Sequence, residues 1–171
     1  GTTWAVRAGS QTGFDSSPSI AVLADGSALI GGMFSGNAAF GGTTLSSAGG
    51  SVDLDIYVAK LSPNGMFDWA TRAGGANYTV NGPYDCVNGI AALTNGSTII
   101  TGAFSGISTF GGTTLTSSGL DSFTAKLNPD GTFAWATRAG GNDSDSGTKV
   151  VALSDGSSVI CGDFLSNATF G

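Results

Sequence analysis

The sequence predicts an all-β repeat protein, and three observations support that prediction. One phrase, Trp-Ala-(Val or Thr)-Arg-Ala-Gly, begins at Trp4, Trp69 and Trp135, roughly 65 residues apart. Short apolar runs alternate with turn signals of Gly, Asn, Asp and Pro, and none of these runs has the 3.6-residue period of a helix. A fixed period indicates that one structural unit is copied in tandem, so the strands of one repeat can be checked against the others.

The first hairpin of each repeat begins with a short apolar run, which we name strand A. Each run is too short for a helix and apolar on both faces, so it predicts a buried strand. A turn signal of Asp-Gly or Asn-Gly follows, and we expect a two-residue type I′ turn because these residues tolerate positive φ. Strand B comes next and leads to a phenylalanine. In chain order, the strand A runs are 20–23, 90–93 and 150–153, the turn signals are 25–26, 95–96 and 155–156, and the phenylalanines are Phe34, Phe104 and Phe164.

A smaller hairpin and two further strands complete the repeat. The phrase Phe-Gly-Gly-Thr-Thr-Leu recurs unchanged at 40–45 and 110–115, and its glycine pair between β-prone residues predicts the small hairpin. Strand C follows, then a turn with Pro before Asn-Gly or Asp-Gly, whose glycine accepts the strained position, and then strand D. Strands C are predicted at 55–61 and 121–127, and strands D at 66–72 and 132–138.

The alternation along strand D predicts that its aromatic residues lie on one face of the sheet. In the first repeat this places Phe67 and Trp69 opposite Asp68 and Arg72. We interpret the aromatic residues as packing between adjacent repeats rather than as a platform for a ligand.

Four-stranded antiparallel units in tandem, without helices, favour a β-propeller in which each unit is a blade. Residues 1–171 are predicted to form one domain, with repeats at approximately 4–68, 69–134 and 135–171, the last of them truncated. The chain then holds a lone strand D, two full repeats and strands A and B of a third: about two and a half repeats in an incomplete ring. Open sheet edges are templates for further strands. Either the chain is a fragment of a longer polypeptide, or the strand around Trp4 completes the truncated repeat of a neighbouring copy, head to tail.

Five phrases resemble the SBBP family, the β-propeller repeats common in large secreted bacterial proteins. They are 88–91, 96–106, 109–115, 123–131 and 135–141, and the resemblance extends over essentially the whole chain. It implies an extracellular or cell-surface propeller scaffold, often part of a giant surface or adhesin-like protein. It implies no catalytic residues, because the family has none in common.

The composition argues against an enzyme. The chain has no His, and its twelve acidic residues are all Asp. The groups that most often perform acid–base catalysis or hold zinc are therefore missing, and we predict a non-enzymatic protein without a cofactor. A net charge of −6 with scattered Lys and Arg predicts no nucleic-acid partner. No stretch approaches the roughly 18 apolar residues of a membrane span, which predicts no membrane insertion.

Three aspartates recur at the same place before strand A: Asp15, Asp85 and Asp145. One interpretation is structural: each bonds backbone amides of a turn or pairs with the arginine that recurs in strand D. The other is functional: a calcium site, because this ion takes oxygen ligands. The phrase Asn142-Asp-Ser-Asp-Ser-Gly makes Asp143 and Asp145 the calcium candidates, although it lacks the remaining ligands of a calcium loop.

The two cysteines, Cys86 and Cys161, occupy non-equivalent positions of their repeats. Two states stay open: a disulfide across neighbouring repeats, which suits an oxidising compartment, or two buried free thiols. A catalytic cysteine is not expected, because no His is present to lower its pKa.

The loop of residues 76–88 is longer than its counterpart in the first repeat, and it holds the ligand-binding candidates Tyr78, Tyr84 and Asp85. Loops on a rigid scaffold commonly carry binding functions. Two glycosylation sequons, at Asn77 and Asn142, fall in the loops after strand D.

The sequence as a whole favours a non-enzymatic, extracellular structural or adhesive module that self-assembles by strand completion between chains. The expected partners are neighbouring copies or further repeats of the same protein. The alternative is a lectin-like glycan-binding propeller, in which surface glycans are held by Asp, Asn and aromatic side chains.

Overall fold

The computed structural model describes residues 3–76 and 85–171 and confirms an all-β fold of antiparallel sheets. The described part also contains one turn of 3₁₀ helix, Gly50–Val52. In chain order the strands are β1 (Ala8–Ser10), β2 (Asp15–Val22), β3 (Ala28–Phe34), β4 (Asn37–Phe40), β5 (Thr43–Ser46), β6 (Asp55–Leu61), β7 (Phe67–Ala73), β8 (Cys86–Ala92), β9 (Thr98–Phe110), β10 (Thr113–Leu127), β11 (Phe133–Gly140), β12 (Ser146–Ala152), β13 (Ser158–Asp163) and β14 (Thr169–Phe170).

Two four-stranded units follow the predicted order of strands A, B, C and D. The first sheet has the order β2-β3-β6-β7, and the second has the order β8-β9-β10-β11 with β14 added beyond β11. The third sheet consists of β12 and β13, which are strands A and B of the third repeat. The predicted small hairpin is present as β4 and β5, to which β1 adds a third strand. In the second repeat the same hairpin is continuous with the long strands β9 and β10.

The core lies between the faces of successive sheets. β8 packs against β2 on one side and against β12 on the other. One apolar cluster lies between the first and second sheets, and a smaller one lies between the second and third sheets. Equivalent residues build both clusters: Ala21, Leu23 and Leu29 with Ile90, Ala92 and Ile100 in the first, and Ala91, Leu93 and Ile99 with Val150, Ala152 and Ile160 in the second.

The prediction that every strand A is buried on both faces is correct for β8, whereas β2 and β12 are each buried on one face only. Ile90 of β8 is buried, whereas Ile20 and Val22 of β2 are 67% and 69% exposed. Val151 and Val159, in the third sheet, are each 54% exposed. The reason is that β8 has a sheet on each face, while within the described residues the first and third sheets each stack on one neighbour only.

The turns between strands A and B differ from the predicted type I′. Gly26 has a φ of 83°, but within the described residues no non-glycine residue of these turns has a positive φ. The Gly26 amide donates to the Leu23 carbonyl, and the Leu23 amide donates to the Ser27 carbonyl. These bonds define a three-residue loop, a type I turn followed by a left-handed glycine. Asp25 serves this turn through its side chain, which accepts the Ser27 amide at 2.8 Å, so it needs no positive φ of its own.

The prediction that the aromatic residues of strand D share a face is wrong. A β-bulge interrupts the pairing of β6 with β7 and separates Phe67 from Trp69. Phe67 packs edge-on against Phe40 of the small hairpin, with ring centroids 5.6 Å apart. The Trp69 indole N–H instead donates to the Pro129 carbonyl of the next repeat at 3.0 Å. The predicted packing of the tryptophan between repeats is confirmed.

Residues 3–10 take the place of a strand D in front of the first repeat. The Trp4 indole N–H donates to the Pro63 carbonyl at 2.9 Å, as Trp69 does one repeat later. A Cβ on Gly65 would lie 2.5 Å from the Trp4 ring, and Gly65 has a φ of 82°, so the turn after the proline requires a glycine. The N-terminal segment is thus docked on the first repeat as each strand D is docked on the repeat that follows it.

Candidate functional site

Asp85 is a buried structural group. Its carboxylate accepts hydrogen bonds from the Ser105 amide at 3.0 Å and from the Ser108 hydroxyl at 2.6 Å. Burial raises the pKa of Asp85 to about 7, the negative charge of Asp55 adds to that rise, and the two hydrogen bonds oppose it. The sequence makes Asp85 a ligand-binding candidate, but the structure places its carboxylate in the interior with protein donors on both oxygens.

Asp145, one of the two calcium candidates, is likewise a buried acceptor of hydrogen bonds one repeat later. Its carboxylate accepts the amides of Gly141 and Leu165 at 2.8 and 2.9 Å, and it is buried, whereas Asp143 is exposed. Among residues 3–76 and 85–171, no group of three or more acidic or cysteine side chains could hold a metal ion. The interpretation of the recurring aspartates as acceptors for backbone amides is therefore confirmed at Asp85 and Asp145.

The arginines of strand D pair with aspartates that the sequence analysis missed. Arg72 forms an ion pair with Asp55, and Arg138 Nε lies 3.1 Å from the Asp121 carboxylate. Both carboxylates are fully buried, and burial raises the pKa of Asp55 while Arg72 lowers it in part. The signal that could have found these pairs is their equal spacing: in each repeat the aspartate that opens strand C precedes the arginine by 17 residues.

Two carboxylates meet across a glycine wherever one repeat follows another. A Cβ on Gly74 would lie 2.3 Å from Asp55 Oδ1 and 3.1 Å from Asp85 Oδ2. A Cβ on Gly140 would lie 2.4 Å from Asp121 Oδ1 and 2.8 Å from Asp145 Oδ2. The first glycine of the Gly-Gly pair that ends the repeated phrase is therefore fixed by the space that these carboxylates occupy. We name each of these arrangements a carboxylate junction.

The two cysteines are free thiols in the structure, so the disulfide considered from sequence is not formed. Each sulfur lies against its own sheet: Cys86 donates to Asn88 Oδ1 at 3.5 Å in the second sheet, and Cys161 Sγ is 3.8 Å from Thr148 Oγ1 in the third. Cys86 is half-buried, which raises its pKa, but Cys161 is exposed rather than buried.

The remaining candidates are Asn77, Tyr78, Tyr84 and Asn142. Asn77, Tyr78 and Tyr84 fall outside the described residues. Asn142 is exposed in the turn between β11 and β12, where the side chain of this sequon is accessible.

Two apolar faces are exposed at opposite ends of the stack of sheets. The front face consists of Ile20, Val22 and the half-buried Ile30 of the first sheet. The rear face consists of Val151, Leu153 and Val159 of the third repeat. The residues of the front face have the same repeat positions as Ile90, Ala92 and Ile100 of the second sheet. Those of the rear face have the same repeat positions as Ala91, Leu93 and Ile99. Both equivalent sets are packed against a neighbouring sheet within the chain.

A polar cleft of about 540 Å³ lies beside the small hairpin of the first repeat. Its side chains are all uncharged, and they include Gln11, Thr12, Asn37 and Thr44. Hydroxyl and amide groups of this kind can both donate and accept hydrogen bonds, as sugar hydroxyls require.

Comparison with known proteins adds no relative: no protein-family model matches the chain, and no curated protein matches its sequence. Within the described residues, no helix has the length and apolar character to cross a bilayer. The function is therefore argued from the repeat geometry.

Proposed function

We propose that the protein is a non-enzymatic, extracellular structural or adhesive module of the β-propeller type, which self-assembles head to tail through its stacked sheets. The observation that carries this proposal is the equivalence of the front and rear faces to surfaces that already pack inside the chain. A rear face of one copy and a front face of the next would repeat the contact made between the second and third sheets. A closed propeller needs at least four blades, so copies joined in this way would approach a ring or extend as a filament.

The size of the faces sets the expected strength of assembly. Three aliphatic side chains on each face would be covered, and full burial of one such side chain contributes about 1.5–3 kcal/mol. Association itself costs on the order of 4–15 kcal/mol in lost freedom of motion. Five of the six side chains are only 43–69% exposed and Ile30 is half-buried, so the gain is about half of the full-burial sum and comparable with the cost. We therefore expect weak assembly, at micromolar concentrations or above.

The N-terminal segment would extend the third repeat of the neighbouring copy. Residues 3–10 occupy the place of a strand D, and Trp4 and Val6 remain more than two-fifths exposed on their outer side. When a second copy packs its rear face on the front face, this segment would lie beside the third repeat of that copy. It would then take the position of strand D in that repeat.

The extracellular and non-enzymatic parts of the proposal rest on composition and burial. Gly, Ser and Thr dominate a chain with only 11% charged residues, as is typical of secreted β proteins, and the phrases resemble a secreted bacterial repeat family. Histidine is missing, and the buried carboxylates at Asp55, Asp85 and Asp145 are engaged by arginine, amide or hydroxyl donors. These groups serve the scaffold rather than a reaction.

Two lysine substitutions test head-to-tail assembly. Val22→Lys blocks the front face and leaves the rear face intact, while Val159→Lys blocks the rear face and leaves the front face intact. We expect the native chain to form rings or filaments in light scattering and negative-stain microscopy, and each variant to be monomeric. An equimolar mixture of the two variants should form a dimer, because it retains one intact pair of faces.

Met66→Lys is the matched control, since Met66 is an exposed hydrophobic residue outside both faces. It should assemble like the native chain. A native chain that stays monomeric up to hundreds of micromolar, or a variant mixture that gives no dimer, would refute the proposed assembly.

The alternative function, a lectin-like module, is favoured by the uncharged polar cleft of the first repeat. It would hold a glycan through hydrogen bonds from Gln11, Thr12 and Asn37. A glycan array tests it, followed by the melting temperature of the chain with the best sugar, which binding should raise. The Gln11→Ala variant should lose that rise; a sugar that stabilises both chains equally binds elsewhere.

A further inference from the structure

Within the described residues, strand B is an edge strand in the third sheet, whereas in the other two sheets it is an inner strand. In the first repeat β3, the strand B, pairs with the strand C β6, and in the second repeat β9 pairs with β10. Within residues 3–76 and 85–171, β13 has a ladder partner, β12, on one side only. The backbone of β13 therefore presents a row of donors and acceptors to a further strand.

A cavity of about 250 Å³ lies beside this edge. On the side of the third repeat it is lined by Ile160, Phe164 and Phe170, and on the side of the second sheet by Thr124 and Ala139 among others. We name the unpaired β13 edge together with this cavity the strand slot.

The equivalent space is filled by an aromatic side chain of strand C in both full repeats. In the second repeat Phe123 lies against Phe104 and Phe110, with ring centroids 6.5 and 4.8 Å away, and all three are fully buried. In the third repeat Phe164 and Phe170 have the same repeat positions as Phe104 and Phe110, but they are 37% and 71% exposed. Their ring centroids are 4.9 Å apart, against 6.4 Å for Phe104 and Phe110, so the two rings lean on each other where no third ring is present.

The first repeat shows the same arrangement with a different ring. Tyr57 of strand C lies against Phe34 and Phe40, with ring centroids 6.3 and 4.8 Å away. Either a phenylalanine or a tyrosine therefore fits between the two phenylalanines that lead out of strand B.

The N-terminal segment of a neighbouring copy does not fill this space, because it is equivalent to strand D. Strand D pairs with strand C in both full repeats, as β7 does with β6 and β11 with β10. In neither repeat does the ladder join strand D to strand B. A strand in the position of strand C would therefore lie between β13 and an incoming strand D.

We propose that the strand slot binds one extended segment with the pattern aromatic-x-Ala-x-Leu, antiparallel to β13. The proposal rests on the strand completion proposed above, and the segment would take the position of strand C. The two strands C supply the pattern, at 57–61 and 123–127. The aromatic ring enters the cavity that Phe164 and Phe170 line, where it would separate these two rings from the contact they make with each other. The alanine lies opposite Ile160, as Ala59 lies opposite Ile30 and Ala125 opposite Ile100. Main-chain hydrogen bonds to β13 supply affinity, and the ring supplies specificity.

A synthetic peptide of residues 119–128 is the probe. It carries Asp121→Asn, because in both full repeats this aspartate pairs with the arginine of strand D in its own repeat, and within the described residues the third repeat has no strand D. Binding to the labelled full 171-residue chain is measured by fluorescence anisotropy, and the site is mapped by hydrogen exchange. We expect saturable binding and slower exchange of the Ser158–Asp163 amides.

Two matched substitutions localise the ring. Phe123→Ala in the peptide should weaken binding by about tenfold or more, because it removes a buried aromatic side chain and its ring contacts. Phe170→Ser in the chain should weaken binding of the unaltered peptide by a similar factor. Phe170 is mostly exposed, so this variant keeps its fold; Phe14→Ser, at an exposed phenylalanine of the first repeat, should leave binding unchanged.

No detectable binding at millimolar peptide, equal binding of the Phe123→Ala peptide, or protection that maps away from β13 would each overturn the strand slot. These outcomes are separate from those for assembly. A chain that assembles through its faces but ignores the peptide retains the proposed function and loses the strand slot, whereas a monomeric chain that binds the peptide at β13 does the reverse.

Discussion

The indole nitrogen of Trp69 lies 3.0 Å from the carbonyl oxygen of Pro129, a residue 60 positions further along the chain. The ring also lies over Gly131 of the same turn, where a Cβ would come within 2.7 Å of it. Trp4 makes the equivalent contacts with the turn of the first repeat. The phrase that identifies the repeat in the sequence is therefore the phrase that ties each repeat to the next.

Removal of this contact should lower the free energy of unfolding only where the turn of a following repeat accepts the indole hydrogen bond. We expect Trp69→Ala to lower the free energy of unfolding by about 3 kcal/mol, in the range for loss of a large packed aromatic residue. Trp135→Ala is the matched control, because within the described residues no Pro-Asp-Gly turn follows it, and its loss should be about 1 kcal/mol or less. Urea unfolding followed by circular dichroism measures both; equal losses would contradict a role between repeats.

The carboxylate junctions predict a strict requirement for glycine. Gly74→Ala would place a methyl group 2.3 Å from Asp55 Oδ1 at a φ of 131°, so we expect a loss of about 3 kcal/mol or a chain that does not fold. Gly42→Ala is the control, since no described atom lies within 4 Å of its added methyl group. It should change stability by less than about 1 kcal/mol. Thermal unfolding of the two variants tests the junction, and a tolerated Gly74→Ala would refute it.

Asp85 predicts a stability that falls as pH rises from about 4 to about 7. Its pKa is about 7 in the folded chain against a usual value of 3.8, so between these values the folded state holds a proton that the unfolded state has released. Its contribution is fully present below pH 3.8 and is lost as pH rises through 7. The slope from this one group is at most about 1.4 kcal/mol per pH unit.

The Asp85→Asn variant isolates this effect, because it does not titrate. Its melting temperature should fall less between pH 4 and pH 7 than that of the native chain. Asp25 supplies a control of opposite sign: the Ser27 amide lowers the pKa of this exposed carboxyl, so its contribution is present above pH 3.8 and lost on acidification. Parallel pH profiles for the native chain and Asp85→Asn would contradict the raised pKa.

The ion pair of Arg72 with Asp55 predicts strong coupling between the two residues. Arg72→Met leaves a fully buried carboxylate without its cation, and we expect a loss of about 3 kcal/mol. Adding Asp55→Asn should restore a large part of that loss, since the uncompensated charge is removed. A double-mutant cycle from chemical unfolding measures the coupling; additive losses would mean that the pair contributes no specific interaction.

The repeat phrases made most of the fold predictable. Strand order, the small hairpin and the docking of the tryptophan all follow from comparing equivalent residues. The errors came from features that side-chain pattern does not encode. A single bulge in strand D moved Phe67 and Trp69 to different faces, and the side chain of Asp25 made a type I turn suffice where Asp-Gly favoured type I′.

The candidate site was less predictable than the fold. Some of its residues are distant in sequence from their partners, and the exposure of others depends on which sheet packs against their strand. The sequence pattern predicts Asp55 only as the first residue of strand C, yet it is the partner of Arg72. The exposure of Ile20 and Val151 depends on whether another sheet covers them, and the same apolar run is buried at Ile90. The empty counterpart of the Phe123 site could be found only once the ring contacts of the full repeats were known.

The two covered faces of the second sheet have a consequence for the length of such a protein. The two faces of the second sheet are equivalent to the faces of the first and third sheets. A further copy of residues 69–134 could therefore be inserted without any new kind of contact. Each added copy would contribute the same free energy, while the cost of the two uncovered ends would stay constant. Stability would then rise in equal steps with copy number, so that selection could adjust the span and strength of the protein by gene duplication alone.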